Sequence, residues 1–145
     1  MTSAAVVYRS PGGITRRYAE EIARYLSSKG IEASVASVGE CDPASLVAAD
    51  YVLLGCWTGG LFVILQHPDE PWLAFVRNLP KLERPRIGLF TTFKLATGSM
   101  FPKMAAALAG RAPVVELELR ARNGSLSGAD RRAIDRFVAK GAVRP

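Results

Sequence analysis

Five short apolar runs recur along the chain, and between them lie turns and segments whose apolar residues return at helical spacing. "AAVVY", residues 4–8, is followed by a stripe of Ile14, Tyr18, Ile22 and Leu26, which reads as strand, turn and amphipathic helix closed by Gly30. "IEASVASV" is a second, alternating strand. It leads to a short helix at "DPASLVAA", where Asp42 can cap and Pro43 suits the first turn. "DYVLLGCW" is a strand apolar on both faces, followed by a long connection from Thr58 to Pro71 and by "PWLAFVRNL", a helix ended by Pro80. "RIGLFTTF" is the fourth strand, "KLATG" a loop, and "SMFPKMAAALAG" a helix with Met100, Met104 and Leu108 inward. "VVELELR" alternates strictly. Ser127 to Asp130 then has the form of a capping box, opening a last helix with Ile134, Phe137 and Val138 toward the core.

Strands alternating with helices over 145 residues predict one α/β domain, residues 1–145, with a parallel sheet and right-handed crossovers. The first, third and fourth strands are apolar throughout and belong in the centre, whereas the second and fifth carry polar residues at alternate positions, as edges do. That gives a five-stranded sheet of order 2-1-3-4-5 with helices on both faces, a three-layer sandwich. In this arrangement a ligand is expected beyond the carboxyl ends of strands one and three, which are Tyr8 to Thr15 and Cys56 to Gly60.

Composition narrows the chemistry. Two cysteines without C-x-x-C spacing and a single histidine argue against a zinc site. Cys56 falls in a strand and reads as a small buried residue; Cys41, in a loop, reads as an exposed thiol, and neither is assigned a catalytic role. The formal charge of +6 favours acidic partners, but the cations are scattered among acids. Arg16, Arg17 and Arg24 interleave with Glu20 and Glu21, and Arg131, Arg132 and Arg136 with Asp130 and Asp135, as on solvated helix faces rather than a nucleic-acid surface. Apolar stretches stop well short of the roughly 20 residues that span a bilayer. "MTSAAVVYRS" lacks the layout of a secretory signal, so no membrane and a cytoplasmic location are the expectations.

"YRSPGGIT", residues 8–15, is a glycine-containing turn entering a helix, where free backbone N–H groups and the helix dipole attract an anion. The same residue types also cap helices and build tight turns with no ligand. A P-loop would need Gly-Lys-Ser/Thr and a dinucleotide site G-x-G-x-x-G, and both are missing here. A metal-assisted phospho-acceptor would need clustered acids, and a cysteine phosphatase a thiol in this loop; neither requirement is met. A monophosphate held without a metal is what remains.

"VVYRSPGGITRRYAEEI", Val6 to Ile22, resembles the flavodoxin signature: two aliphatics, an aromatic, a hydroxyl residue and a small residue, then Thr15, with Ala19 and Ile22 toward the sheet. "LLGCWTGG" resembles that family's second flavin loop, and "TTFKLATGSM" stands in place of the third. The resemblance implies non-covalent FMN, with its phosphate on Ser10, Pro11, Gly12, Gly13, Ile14 and Thr15. Its ring would lie between Trp57, Thr58, Gly59 and Gly60 on one loop and Thr92, Phe93, Lys94 and Thr97 on the other.

The chain also departs from the pattern. Gly59 stands where the family often has a stacking Trp and Trp57 comes slightly early, so one ring face either lies open or is covered by Trp57 or Phe62. Flavodoxins are usually strongly acidic, and this chain is basic, so its expected partner is a redox protein with an acidic docking face. Full reduction of FMN places negative charge near the pyrimidine end of its ring, which nearby carboxylates oppose and cations favour. Lys94 and the scarcity of acids in these loops therefore predict a flavin that is easily reduced.

His67 reads as a surface residue, and Trp72 and Phe75 as core. The apolar loop at 61–68 suits a pocket wall, a lid, a homodimer contact or plain structural burial. The functional expectation is an electron-transfer protein in which no residue acts as an acid or base. The alternatives are an FMN-dependent NAD(P)H or quinone reductase and a flavin-free interaction module on the same fold.

Overall fold

The two faces of the central strands bury into two separate cores, which is why those strands are apolar without alternation. The computed structural model describes residues 2–61, 64–112 and 114–142. Its elements run β1 (Ser3–Arg9), α1 (Ile14–Ser28), β2 (Glu32–Ser37), a 3-10 helix (Pro43–Ala48), β3 (Tyr51–Trp57), β4 (Gly59–Leu61), β5 (Ile64–His67), α2 (Glu70–Arg77), β6 (Arg86–Thr92), α3 (Met100–Leu108), β7 (Val115–Ala121) and α4 (Gly128–Ala142). The main sheet has the order β2-β1-β3-β6-β7 with every pair parallel, so the five strands of this sheet follow 2-1-3-4-5.

Adjacent residues of each strand point to opposite layers. Val7, Val52, Leu54 and Leu89 pack with Trp72 and Phe75 of α2 and with Met100, Met104 and Leu108 of α3. Val6, Leu53 and Phe90 pack with Tyr18, Ile22 and Leu26 of α1 and with Ile134 and Phe137 of α4. At Gly55 the register brings β3 against Phe90 of β6, and a Cβ there would lie 2.0 Å from the ring. Only glycine fits beneath that ring. Caps follow the sequence reading: Asp42 accepts from Ala44 N, and Ser127 and Asp130 exchange two hydrogen bonds at the start of α4. Among the described residues, no helix is long and apolar enough to cross a membrane.

Four local expectations are corrected. The connection after β3 is not a plain loop, because β4 and β5 form an antiparallel two-stranded sheet beside the main one. Its tip, Phe62 and Val63, lies outside the described residues, and with it the expected role of Phe62. Ile14 does not join the buried stripe of α1. It is 45% exposed and belongs to the lining of a cleft beyond the strand ends. Asp130 is not a solvated charge: it is buried and accepts from Tyr18 Oη at 2.8 Å, tying α4 to α1. Cys41 is half-buried against the α2/α3 core, and burial pushes its thiol pKa up.

Candidate functional site

Beyond the carboxyl ends of β1, β3 and β6 the chain encloses a cleft of about 710 Å3. Three strand ends build it, because neighbouring parallel strands all release their chain at the same edge. Ser10, Pro11, Gly12, Ile14 and Thr15 come from the β1–α1 turn, Trp57, Thr58 and Gly59 from the end of β3, and Thr92, Phe93 and Lys94 from the end of β6. Leu95, Ala96 and Arg122 complete the lining, and the sequence reading missed all three. Gly13 is not among the lining residues, although Gly12 and Ile14 on either side of it are. Thr97 faces away: it is buried and accepts from Arg120 Nη1 at 3.3 Å.

The first turn of α1 is left open toward this space. Its N-cap is Gly13, held at φ 90°, a left-handed conformation that favours glycine, and no side chain caps the helix. Its first turn carries no acidic residue. The first N–H groups of any α-helix lack intrahelical partners, so here they remain for a ligand. Ser10 Oγ accepts from Gly13 N at 3.0 Å and so holds the turn in shape.

Two pairs of threonine hydroxyls cross the strand ends. Thr91 Oγ1 lies 2.6 Å from the carbonyl of Cys56, and since a carbonyl cannot donate, the Thr91 proton is committed there. Thr58 Oγ1, 2.7 Å from Thr91 Oγ1, must then be the donor of that pair. Its remaining capacity is as an acceptor. Thr15 Oγ1 and Thr92 Oγ1 meet at 2.6 Å with no such constraint on direction.

Asp69 organises the wall formed by Trp57. Its Oδ2 accepts from Trp57 Nε1 at 2.7 Å and from Arg9 Nε at 2.8 Å, while Oδ1 accepts from Trp72 N at the start of α2 and from the Cys56 thiol. Burial works against the carboxylate, but the bonds from Arg9, Trp57 and Trp72 outweigh it and hold the pKa below the usual range. Burial pushes the Cys56 thiol far up, so it stays protonated and is no nucleophile. His67 is exposed, with Nδ1 2.9 Å from the Pro68 carbonyl. The β5 carbonyl of Gln66 accepts from Ser99 Oγ at 3.1 Å and from Lys103 Nζ at 2.9 Å, joining the small sheet to the start of α3.

Among the described residues, the lining holds two cations, Lys94 and Arg122, and no carboxylate. The Arg122 guanidinium lies over the Phe93 ring, 5.5 Å from its centroid. Two aromatic side chains, an open helix terminus and a cationic rim thus share one cleft.

A doubly wound α/β domain with its cleft at the switch point of strand order is the class that this geometry defines. Residues 6–101 match the family model described as Flavodoxin, and the chain belongs to the flavodoxin family. Solved structures agree over almost the whole chain. Two-electron reduced flavodoxin of Megasphaera elsdenii superposes with a TM-score of 0.74 at 17% identity, over 94% of this chain and 98% of that one. Oxidised flavodoxin 2 of Bacillus cereus gives 0.72 at 18%, over 97% and 98%. Rubredoxin oxygen:oxidoreductase of Desulfovibrio gigas gives 0.74 at 16%, covering 99% of this chain but 38% of that protein. At such identities the likeness is one of fold.

Proposed function

We propose that the chain binds FMN non-covalently in this cleft and carries electrons between other proteins. One observation carries the reading: a glycine-capped helix terminus, free of side-chain caps and first-turn acids, opens into a cleft that also holds Trp57 and Phe93. The donor set suits a phosphate monoester, since the α1 amides, Ser10 and Thr15 supply neutral donors and no carboxylate among the described lining residues opposes a dianion. Trp57 and Phe93 offer flat apolar surface for a ring system, and Thr58 offers it an acceptor.

Bound FMN would supply one- and two-electron redox chemistry. The residues themselves bind and tune: Trp57, braced by Asp69 and Arg9, fixes a wall, and Lys94 and Arg122 favour negative charge in the cleft. Ile14, Trp57 and Leu95, at 45%, 37% and 53% exposure, bring exposed apolar surface to the same opening. With the two cations beside them, they suit a redox partner whose docking face is acidic at its rim and apolar at its centre.

The test is a spectrophotometric titration of the purified chain with FMN, followed by turnover assays with NADH and NADPH. The expected result is a tight yellow complex that does not oxidise either nucleotide unaided. A chain that is colourless once excess FMN has been removed by gel filtration, and that leaves the FMN spectrum unchanged in the titration, overturns the reading, and unaided oxidation of NADH or NADPH makes it a reductase instead.

A further inference from the structure

We infer that Thr92 is a positioning residue for the phosphate: it donates its hydroxyl proton to Thr15 and thereby turns the Thr15 proton toward the anion. The inference rests on the phosphate reading given above. Thr15 and Thr92 are 1% and 5% exposed, 77 residues apart in sequence, and their oxygens are 2.6 Å apart. A separation that short holds one proton between the two oxygens, so one hydroxyl donates and the other keeps its proton for another acceptor.

The anion decides which. Thr15 is the second residue of α1, among the N–H groups left open at its start. If Thr15 donated to Thr92, it would present only lone pairs to a phosphate oxygen, which repels them. With Thr92 as donor, the Thr15 proton is released to the phosphate, and each bond in the relay polarises the next. Thr92 is well placed to act without moving, because its own backbone carbonyl is fixed by Thr58 N at 2.9 Å and Phe93 N is held by the Ala121 carbonyl at 3.1 Å. The neighbouring pair Thr91–Thr58 runs inward to the Cys56 carbonyl and does not compete for this proton.

The test compares FMN with riboflavin, which has the same ring and no phosphate. Thr92→Val removes the donor, and because a methyl group cannot approach an oxygen to such a distance, it also displaces the Thr15 hydroxyl. The expected result is a roughly tenfold loss of FMN affinity, the order of one hydrogen bond to a charged group. Riboflavin affinity should fall by much less, so that the preference for FMN over riboflavin drops. Thr92→Ser, which keeps the hydroxyl with less demand on packing, should retain the preference for FMN. In a Thr15→Val background, Thr92→Val should cost nothing further. Parallel losses for FMN and riboflavin, an unaltered FMN affinity, or additive losses in the double variant would overturn the inference. A wild-type chain that binds FMN no better than riboflavin defeats the phosphate reading itself, and this inference with it.

Discussion

The indole N–H of Trp57 donates to the same carboxylate oxygen of Asp69 that receives Arg9 Nε, so one oxygen joins the end of β3, the end of β1 and the start of α2. Removing the carboxylate, whose other oxygen caps α2, should loosen the cleft wall and the helix together. Asp69→Ala is expected to lower unfolding stability by roughly 1–3 kcal/mol in urea, from the lost cap and the abandoned donors. Acrylamide should then quench Trp57 emission more strongly, with Trp57→Phe supplying the correction for buried Trp72. Asp69→Asn, which can still cap, should fall between the two.

The same carboxylate predicts a pH dependence. Its pKa in the folded chain lies below the ordinary value, so the stability that it contributes is present above about pH 3.9, the unfolded carboxyl pKa, and is lost as pH falls through the folded value. Emission from Trp57 is therefore expected to hold steady at neutral pH and to change in that acid window. In Asp69→Asn the corresponding step should vanish.

Gly55 should resist substitution for a steric reason alone. A methyl group at this position meets the Phe90 ring, so Gly55→Ala is expected to cost roughly 1–3 kcal/mol. Combining it with Phe90→Leu should recover part of the loss, and a double-mutant cycle in urea measures the coupling. Simple additivity would show that the contact is not the cause.

Tyr18 and Asp130 give a further test in the same layer, beside Phe90. Tyr18→Phe leaves Asp130 its bond from Ser127 N and should cost roughly 1 kcal/mol. Asp130→Ala removes the carboxylate half of the capping box at α4 and strands a buried phenol, so about 2–4 kcal/mol is expected from thermal or urea melts.

Charge at the cleft predicts the redox response. With FMN bound, reversing Lys94 or Arg122 to Glu should lower the midpoint potential for reduction, by on the order of tens of millivolts at low ionic strength and less in high salt. Potentiometric titration of the two variants reads this directly, and unchanged potentials would remove both cations from the tuning of the site.

The sheet was legible because burial writes itself into periodicity: unbroken apolar runs marked β1, β3 and β6 as central, and polar alternation marked β2 and β7 as edges. What local pattern does not encode is which distant groups meet. Arg122 belongs to no motif and reaches the cleft only because β7 lies beside β6. Asp69 and Arg9 look like ordinary surface charges until a parallel crossover brings them together. Asp130 was misread for the same reason, since its spacing to Arg131 and Arg132 resembles a solvated helix face while its side chain turns inward to Tyr18. The β4–β5 pair escaped because "GLFVILQH" is apolar at consecutive positions, and such a run carries no alternation by which to recognise an antiparallel hairpin.

The grip of Ser99 and Lys103 on the Gln66 carbonyl ties the small antiparallel sheet to the helix that follows the β6 loop. Two sides of the opening are thereby stitched together, so that displacing the small sheet costs the two bonds that fasten it to α3.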